Sequence, residues 1–280
     1  VNSGAGADLI TLGSGGSIVN AGNGANTVTV GAANDGVHDD AITTGNGADV
    51  IKTTSTQLTS LLTVHAGGAN DTLEVTDDAT VVNADFNQIT NLEILKLSAD
   101  AVDNAQNVTL GSIAASAGLT IVDTTNVGGN DVITLDSSGF ANALSVYTGA
   151  GADVITLGSG GSVVNAGNGN NTVTVGANND GSNDDTITTG SGADLLLVTD
   201  AQLTATLTIV AGTGSDTLQL SSDASVVDAD LAGVAGLEIL KLGADAGDNA
   251  QSVVLANNAA AAGITTVDAT SAGAADNITV

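Results

Sequence analysis

The side chains in this sequence that could do chemistry are aspartates that closely follow paired glycines. The pattern is Gly-x-Gly-x-Asp-x-aliphatic, and it occurs at Gly4–Ile10, Gly45–Ile51, Gly149–Ile155, Gly190–Leu196 and Gly212–Leu218. Glycine permits positive φ, which lets backbone carbonyls turn toward a cation, and Asp adds charge on a short stem. A hard ion such as Ca²⁺ takes about 6 to 8 oxygen ligands. The pattern therefore predicts calcium-binding turns, and an ordinary Gly–Asp corner is the alternative at each position.

Two further acidic patterns extend this set. Close variants of the motif end in Asp71 and Asp131. A separate cluster, Asn34–Asp40, returns as Asn179–Asp185 and holds three carboxylates around a glycine. Such a loop is able to wrap one Ca²⁺, and an exposed polar loop is an equally open interpretation.

The candidate metal ligands are the carboxylates and turn glycines of these patterns. They are Gly4, Gly6, Asp8, Asp35, Asp39, Asp40, Gly45, Gly47, Asp49, Asp71, Asp131, Gly149, Gly151, Asp153, Asp180, Asp184, Asp185, Gly190, Gly192, Asp194, Gly212, Gly214, Asp216 and Asp276.

The composition excludes several classes of function. The 280 residues include 31 acidic side chains, of which 28 are Asp, against 3 lysines and no arginine, so the formal net charge is −28. Such a chain cannot neutralise phosphates, which excludes nucleic-acid binding and attraction to anionic membranes. No cysteine is present for a disulfide, a thiolate zinc site or a nucleophile. The sequence contains no run of 18 apolar residues, so it predicts no membrane-spanning helix.

Catalysis is not expected from this sequence. Glycoside hydrolysis needs two carboxylates about 5–9.5 Å apart beside a sugar-binding cleft. Sugar clefts usually offer aromatic platforms, and the aromatic residues are Phe86, Phe140 and Tyr147. His38 and His65 have no serine or cysteine motif around them. Lys96 and Lys241 are expected to point outward from strands and to pair with Glu93, with Glu238 or with a neighbouring Asp.

An internal repeat organises the elements that must position these side chains. Val1–Leu135 aligns without a gap on Val146–Val280, with 83 identical residues in the 135 aligned pairs. The sequence therefore predicts two tandem copies, 1–145 and 146–280, the second truncated and continuous with the first. Because the second copy stops ten residues short of a full unit, we expect the array to continue.

Short alternating runs rich in β-branched residues, bounded by Gly, Asn, Asp or Ser, predict strands throughout each copy. The helical candidates are Asn83–Thr90, Ile113–Gly118 and Ala256–Gly263, each a turn or two. A sandwich or barrel would need two-residue hairpin turns, whereas the Asp-Gly pairs lie inside longer polar loops. The regular return of the glycine turns, as from Gly4 to Gly22, favours the other all-β architecture. We predict a parallel β-solenoid, a β-roll or β-helix of stacked 18–22-residue coils.

The glycine–aspartate turns resemble the RTX family of calcium-binding parallel β-rolls, whose nonapeptide is G-G-x-G-x-D-x-U-x. The resemblance implies that Asp carboxylates and turn carbonyls of adjacent coils share Ca²⁺, while the aliphatic residue packs inside. RTX rolls run their nonapeptides back to back, whereas here the good copies are isolated from one another by intervening sequence. Asn26 and Asn171 also stand where Asp is expected, so we expect these turns to stack as a neutral amide ladder.

The chain resembles the RTX-like, strand-repeat S-layer and adhesin proteins of bacteria more than the calcium-binding block of a toxin. This resemblance implies a calcium-stabilised, extracellular surface protein: an S-layer, adhesin stalk or filament subunit that self-assembles or spaces other modules. The expected partners are copies of itself, in end-to-end or lateral assembly, and a cell-surface glycan. Alternatives are an ice- or glycan-binding solenoid, with threonine in register over many coils, and the non-catalytic RTX region of a larger secreted protein.

Overall fold

The structure is a computed structural model that describes residues 1–31, 34–77, 79–98, 105–129, 131–177, 179, 181–222, 225–243 and 251–270. The chain divides into two compact units, Val1–Gly149 (unit 1) and Ala150–Val280 (unit 2). None of the described helices is long and apolar enough to cross a membrane.

Unit 1 is built from short strands joined by glycine-rich turns. The strands are β1 (Leu9–Thr11), β2 (Ile18–Gly22), β3 (Thr27–Thr29), β4 (Ala41–Thr44), β5 (Val50–Thr53), β6 (Thr63–His65), β7 (Thr72–Val75), β8 (Thr80–Val81), β9 (Ile89–Thr90), β10 (Ile94–Ser98), β11 (Gln106–Thr109), β12 (Ile121–Asn126), β13 (Ile133–Asp136) and β14 (Ser145–Tyr147). A 3-10 helix spans Asn83–Phe86, and the α-helix α1 spans Ser112–Ala117. The 3-10 helix lies inside the predicted helical candidate Asn83–Thr90, and α1 begins one residue before the candidate Ile113–Gly118.

Unit 2 has the same kind of elements. Its strands are β15 (Val154–Thr156), β16 (Val163–Asn165), β17 (Thr172–Thr174), β18 (Thr186–Thr188), β19 (Leu195–Val198), β20 (Thr208–Val210), β21 (Thr217–Leu220), β22 (Ser225–Val226), β23 (Val234–Ala235), β24 (Ile239–Leu242), β25 (Ser252–Val253) and β26 (Thr266–Asp268). A 3-10 helix spans Asp228–Leu231, and α2 spans Asn257–Ala262.

All described strand pairings are parallel, as a solenoid requires. In unit 1 the sheets run β1-β3-β5-β7-β10-β12-β14, β2-β4-β6-β9 and β8-β11-β13. In unit 2 they run β15-β17-β19-β21-β24-β26, β16-β18-β20-β23 and β22-β25. Each strand pairs with a strand about one coil away rather than with its sequence neighbour, which is incompatible with hairpins. The predicted parallel β-solenoid is confirmed.

The length of a coil varies more than the sequence suggested. Hydrogen-bonded positions in adjacent coils are 18 residues apart at Asp8 and Asn26, and 27 residues apart at Glu93 and Thr120. The predicted range of coil lengths is therefore too narrow. The longer of these coils contains α1, and a helix advances about 1.5 Å per residue against about 3.3 Å for a strand, so the same path needs more residues.

A column of small aliphatic side chains fills the inside of each solenoid. Strand residues alternate between buried and more exposed positions, and the parallel register places the buried ones in line. In unit 1 the aligned column is Ile10, Val28, Ile51, Leu73, Leu95, Val122 and Val146, and in unit 2 it is Ile155, Val173, Leu196, Leu218 and Leu240. These residues include the aliphatic positions of the glycine–aspartate motif. Burial of the column therefore fixes where each preceding Asp lies.

Candidate metal centre

The Gly-x-Gly turns stack so closely that only glycine fits. A Cβ atom on Gly22 would lie 1.7 Å from the carbonyl oxygen of Gly4, and one on Gly24 would lie 2.1 Å from that of Gly6. Corresponding Cβ contacts of 1.6–2.5 Å with a glycine carbonyl oxygen arise at Gly45, Gly47, Gly67, Gly169, Gly190, Gly192, Gly212 and Gly214. Gly4, Gly6 and Gly149 are different: a Cβ on Gly4 or Gly6 would meet nothing within 4 Å, and one on Gly149 would have no neighbour closer than 3.5 Å. Turn carbonyls of one coil therefore point at the glycines of the next.

Beside these carbonyls, the corner residues of unit 1 form a ladder along the stack. The backbone N–H of Asp8 donates to Oδ1 of Asn26 at 3.1 Å, and that of Asn26 donates to Oδ1 of Asp49 at 2.7 Å. The N–H of Asp49 donates to Oδ1 of Asp71 at 2.8 Å, and that of Asp71 donates to Oε2 of Glu93 at 2.9 Å. We call this series, with its counterpart in unit 2, the corner ladder. Each rung ties a turn to the coil that follows it.

Unit 2 repeats the corner ladder with the same residue types. Asp153 donates through its N–H to Oδ1 of Asn171 at 3.0 Å, and Asn171 donates to Oδ1 of Asp194 at 2.8 Å. The backbone N–H of Asp194 donates to Oδ1 of Asp216 at 2.8 Å, and the backbone N–H of Asp216 donates to Oε2 of Glu238 at 2.9 Å. The arrangement is therefore a property of the repeat and not of one coil.

Five aspartates of the corner ladder each have one carboxylate oxygen that the protein does not satisfy. Asp49, Asp71, Asp194 and Asp216 are between 0 and 2% exposed. Their Oδ2 atoms, and that of Asp8, are buried and have no hydrogen-bond partner. A buried carboxylate oxygen without a partner costs at least about 1–3 kcal/mol. A divalent cation bound by oxygens removes this cost, so the donor set fits a hard ion such as Ca²⁺.

Burial and mutual repulsion also change the acidity of these groups. Burial raises the pKa of Asp71 to about 6, and the negative charges of Asp49 and Glu93 add to the effect. In unit 2, burial raises the pKa of Asp216, with contributions from Asp194 and Glu238. Like charges stacked one coil apart disfavour full ionisation. A cation or a proton relieves the same repulsion.

We therefore expect the calcium-stripped protein to become more stable when the pH is lowered from 7 to about 5. Asp71 has a pKa of about 6 in the folded state and an ordinary value of 3.8, so the folded state binds more protons between these values. Stability falls with rising pH wherever the folded state holds the extra proton. Melting temperatures of calcium-stripped protein between pH 5 and 7 measure the effect.

With saturating calcium the pH dependence should reverse, because protons then compete with the ion for the same oxygens. The double variant Asp71→Asn with Asp216→Asn is the control, and its calcium-stripped form should show a flatter pH profile. A calcium-stripped wild-type protein that loses stability steadily from pH 7 to 5 would contradict the assignment.

The carboxylates of the second acidic cluster in unit 1, Asn34–Asp40, accept backbone N–H groups from their own loop and from two other segments. The two carboxylate oxygens of Asp40 accept the N–H groups of Ser17 at 2.8 Å and Gly31 at 3.3 Å. Asp39 accepts the N–H of Gly36, and Asp35 accepts those of Val37 and His38, which lowers the pKa of Asp35. The three carboxylates thus cap turns, and a calcium ion in this loop stays a prediction.

The corresponding loop of unit 2 is built alike. Asp185 accepts the N–H groups of Ser162 at 2.8 Å and Gly176 at 2.9 Å, and Asp184 accepts that of Gly181 at 2.8 Å. Asp180 and Asp276 lie outside the described residues. Across the residues that the structure does describe, no group of three or more His, Cys, Asp or Glu side chains is arranged to hold a metal ion.

Asp131 stands apart from the corner ladder. Its Oδ2 accepts the N–H of Gly128 at 3.0 Å within its own turn, and its Oδ1 is buried without a hydrogen-bond partner. The unsatisfied oxygen is the feature it shares with the ladder aspartates. It remains a candidate ligand in a turn of different geometry.

Sequence reasoning missed the part that Glu93 and Glu238 play. The expected pairing of Lys96 with Glu93 is wrong: Lys96 and Lys52 both contact Glu74, at 3.7 and 3.1 Å. Lys96 and Glu74 are paired positions on adjacent strands, whereas Glu93 lies at the corner and continues the ladder. The available signal was spacing, because Glu93 follows Asp71 by the same 22 residues that separate Asp71 from Asp49.

Comparison with known families agrees with this geometry. The family model described as RTX calcium-binding nonapeptide repeat (4 copies) matches residues 2–37, 147–181 and 179–196. These ranges contain Asp8, Asn26, Asp153, Asn171 and Asp194. The corner ladder continues beyond them, through Asp49, Asp71 and Asp216. No curated protein and no solved structure is similar enough to match.

Proposed function

Because the chain carries RTX calcium-binding nonapeptide repeats within a parallel β-solenoid, we propose that it is a calcium-stabilised structural module of a secreted bacterial surface protein. In this role the ion is part of the fold. It stiffens a scaffold that forms or spaces an S-layer, an adhesin stalk or a filament.

The observation that supports this proposal is the row of buried carboxylate oxygens without partners in both units. Turn carbonyls and Asp carboxylates supply the oxygens that Ca²⁺ prefers. Calcium bound there supplies positive charge between stacked coils. The protein's own part is to hold the carbonyl columns and the carboxylates in line, through the glycine contacts and the N–H donors of the ladder.

The solenoid is a structural fold, and the histidines have structural surroundings. Nδ1 of His65 lies 2.8 Å from Oγ1 of Thr90, and Nδ1 of His38 lies 3.4 Å from Asp35. We assign neither histidine a chemical step.

The outward side chains do not favour an ice-binding face. Such a face would need threonine in register over many coils. In unit 1 the register row that begins with Thr11 and Thr29 continues with Lys52, Glu74 and Lys96. Three charged side chains in succession break the hydroxyl array. We therefore propose the structural role and not the ice-binding one.

The partner proposed for this module is a second copy of the chain. Parallel solenoids grow by pairing strand edges, and an edge that pairs with the next coil is also able to pair with another molecule. We expect sedimentation velocity in saturating calcium to show species larger than the monomer, which EGTA dissociates. A single monomer boundary at every protein concentration in calcium would overturn the assembly role while leaving calcium binding intact.

A further inference from the structure

The asparagine rungs of the corner ladder differ chemically from the aspartate rungs. Nδ2 of Asn26 lies 2.8 Å from the carbonyl oxygen of Gly24, 3.3 Å from that of Gly22, and 3.0 Å from Oδ1 of Asp49. Two carbonyls of its own turn and one carboxylate of the next coil thus converge on a single nitrogen. This donor set of carbonyl and carboxylate oxygens is of the kind that a calcium ion would use.

Unit 2 repeats the two contacts between the amide nitrogen and the carbonyl oxygens of its own turn. Nδ2 of Asn171 lies 3.3 Å from the carbonyl oxygen of Gly167 and 3.1 Å from that of Gly169. Oδ1 of Asn171 accepts the N–H of Asp153, as Oδ1 of Asn26 accepts that of Asp8. The amide orientation is therefore set in both units by what each of its two atoms contacts.

An aspartate in the same kind of turn has an oxygen where asparagine has its nitrogen. Oδ1 of Asp49 accepts the N–H of Asn26, which is the contact that Oδ1 of Asn26 makes with Asp8. The second oxygen of Asp49 then corresponds to Nδ2 of Asn26, and it is buried without a hydrogen-bond partner. Asp194 is the counterpart in unit 2, with the same unsatisfied oxygen. The aspartate turns need a cation at the position where the asparagine turns have the NH₂ group of their own amide.

We propose that the side-chain amides of Asn26 and Asn171 take the place of calcium, so that one turn of the corner ladder in each unit is closed without an ion. This inference rests on calcium binding at the aspartate turns. It assigns the ion to the turns of Asp8, Asp49 and Asp71 in unit 1 and of Asp194 and Asp216 in unit 2, and it denies one to the asparagine turns.

The contacts of the asparagine side chains have a physical consequence for the chain without calcium. The N–H and the amide of Asn26 both donate to Oδ1 of Asp49, so these two coils are joined by neutral donors at any calcium concentration. Hydrogen bonds to a charged acceptor are stronger than those between neutral groups. The asparagine turns therefore hold two coils together before any ion arrives.

The test exchanges the two residue types and counts ions. Asn26→Asp with Asn171→Asp should bind two more Ca²⁺ per chain than the wild type by equilibrium dialysis, and should melt at a lower temperature in EGTA. Asp49→Asn with Asp194→Asn should bind two fewer ions and melt at a higher temperature in EGTA. Far-UV circular dichroism in calcium establishes that each variant folds.

The matched control is Asn20→Asp with Asn165→Asp. These side chains accept the N–H groups of Gly22 and Gly167 at 3.1 Å at exposed positions of the same turns, so the variant adds the same charge outside the site. Its ion count should equal that of the wild type.

An unchanged ion count in both exchange variants would overturn the amide assignment, as would a gain in the control as large as that in Asn26→Asp with Asn171→Asp. A wild-type chain that binds no calcium would overturn the proposed function itself, which separates the two failures. The reciprocal aspartate-to-asparagine variant keeps the test decisive if the other exchange variant does not fold.

Discussion

Removal of calcium should lower the melting temperature of the protein by about 10–20 °C or more. At a free calcium concentration about 100-fold above the dissociation constant, each site stabilises the folded state by about 2.7 kcal/mol. Two such sites in a unit give about 5 kcal/mol, and 1 kcal/mol shifts the melting temperature of a 150–250-residue domain by about 2–4 °C. The unsatisfied oxygens of Asp49, Asp71, Asp194 and Asp216 are the source of the effect.

Thermal melts followed by circular dichroism, in saturating calcium and in EGTA, measure this shift. Magnesium is the control ion, because it requires near-octahedral geometry at about 2.0–2.1 Å and dehydrates reluctantly, so it should restore little of the lost stability. Coincident melting curves in calcium and in EGTA would refute the role of the corner ladder as a metal centre.

The second large effect is steric. Gly22→Ala should cost about 3–5 kcal/mol, because its Cβ would lie 1.7 Å from the carbonyl oxygen of Gly4 and the backbone must move to admit it. Positive φ accounts for about 1–2 kcal/mol of this cost, since Gly22 has φ +75°. Shifted turns also misplace the carbonyl oxygens, so calcium affinity should fall together with stability.

Gly4→Ala is the matched control, because Gly4 has φ +100° and its Cβ would meet nothing within 4 Å. Its cost should be limited to the strain of positive φ, about 1–2 kcal/mol. Urea unfolding of both variants in EGTA gives the two free energies without the contribution of the ion. Equal losses would show that stacking contributes nothing and that backbone strain alone accounts for the glycines.

Much of the ladder could be predicted from spacing. Because coils stack in parallel and in register, residues separated by one coil length become neighbours, so the 22-residue interval between Asp49 and Asp71 already places their side chains in one row. The aliphatic residue two positions after each Asp fixes the register, since its side chain must point inward. These two rules indicate the solenoid and the carboxylate turns.

The remaining features depend on local geometry that the sequence pattern does not carry. The sequence does not indicate which oxygen of Asp49 accepts the neighbouring N–H and which is left without a partner. The acidic cluster around Asp40 suggests a metal ligand. In the structure both carboxylate oxygens of Asp40 accept backbone N–H groups, from two other segments of the chain. The longer coil between Glu93 and Thr120 contains the short helix α1. The candidate Ile113–Gly118 predicted this helix, but the spacing of the strands does not indicate the extra residues of the coil.

The ion-paired group of Glu74, Lys52 and Lys96 distinguishes one copy of the repeat from the other. Ladder groups and core aliphatics recur in successive coils, so a strand placed out of register, or taken from another molecule, would meet many of the same partners. The corresponding positions of unit 2 are Gln219, Leu197 and Lys241. Leu197 in place of Lys52 would remove the closer of the two lysines from the mostly buried Glu74. We therefore expect this ion-paired group to favour the correct alignment of strands over one in which β19 takes the place of β5.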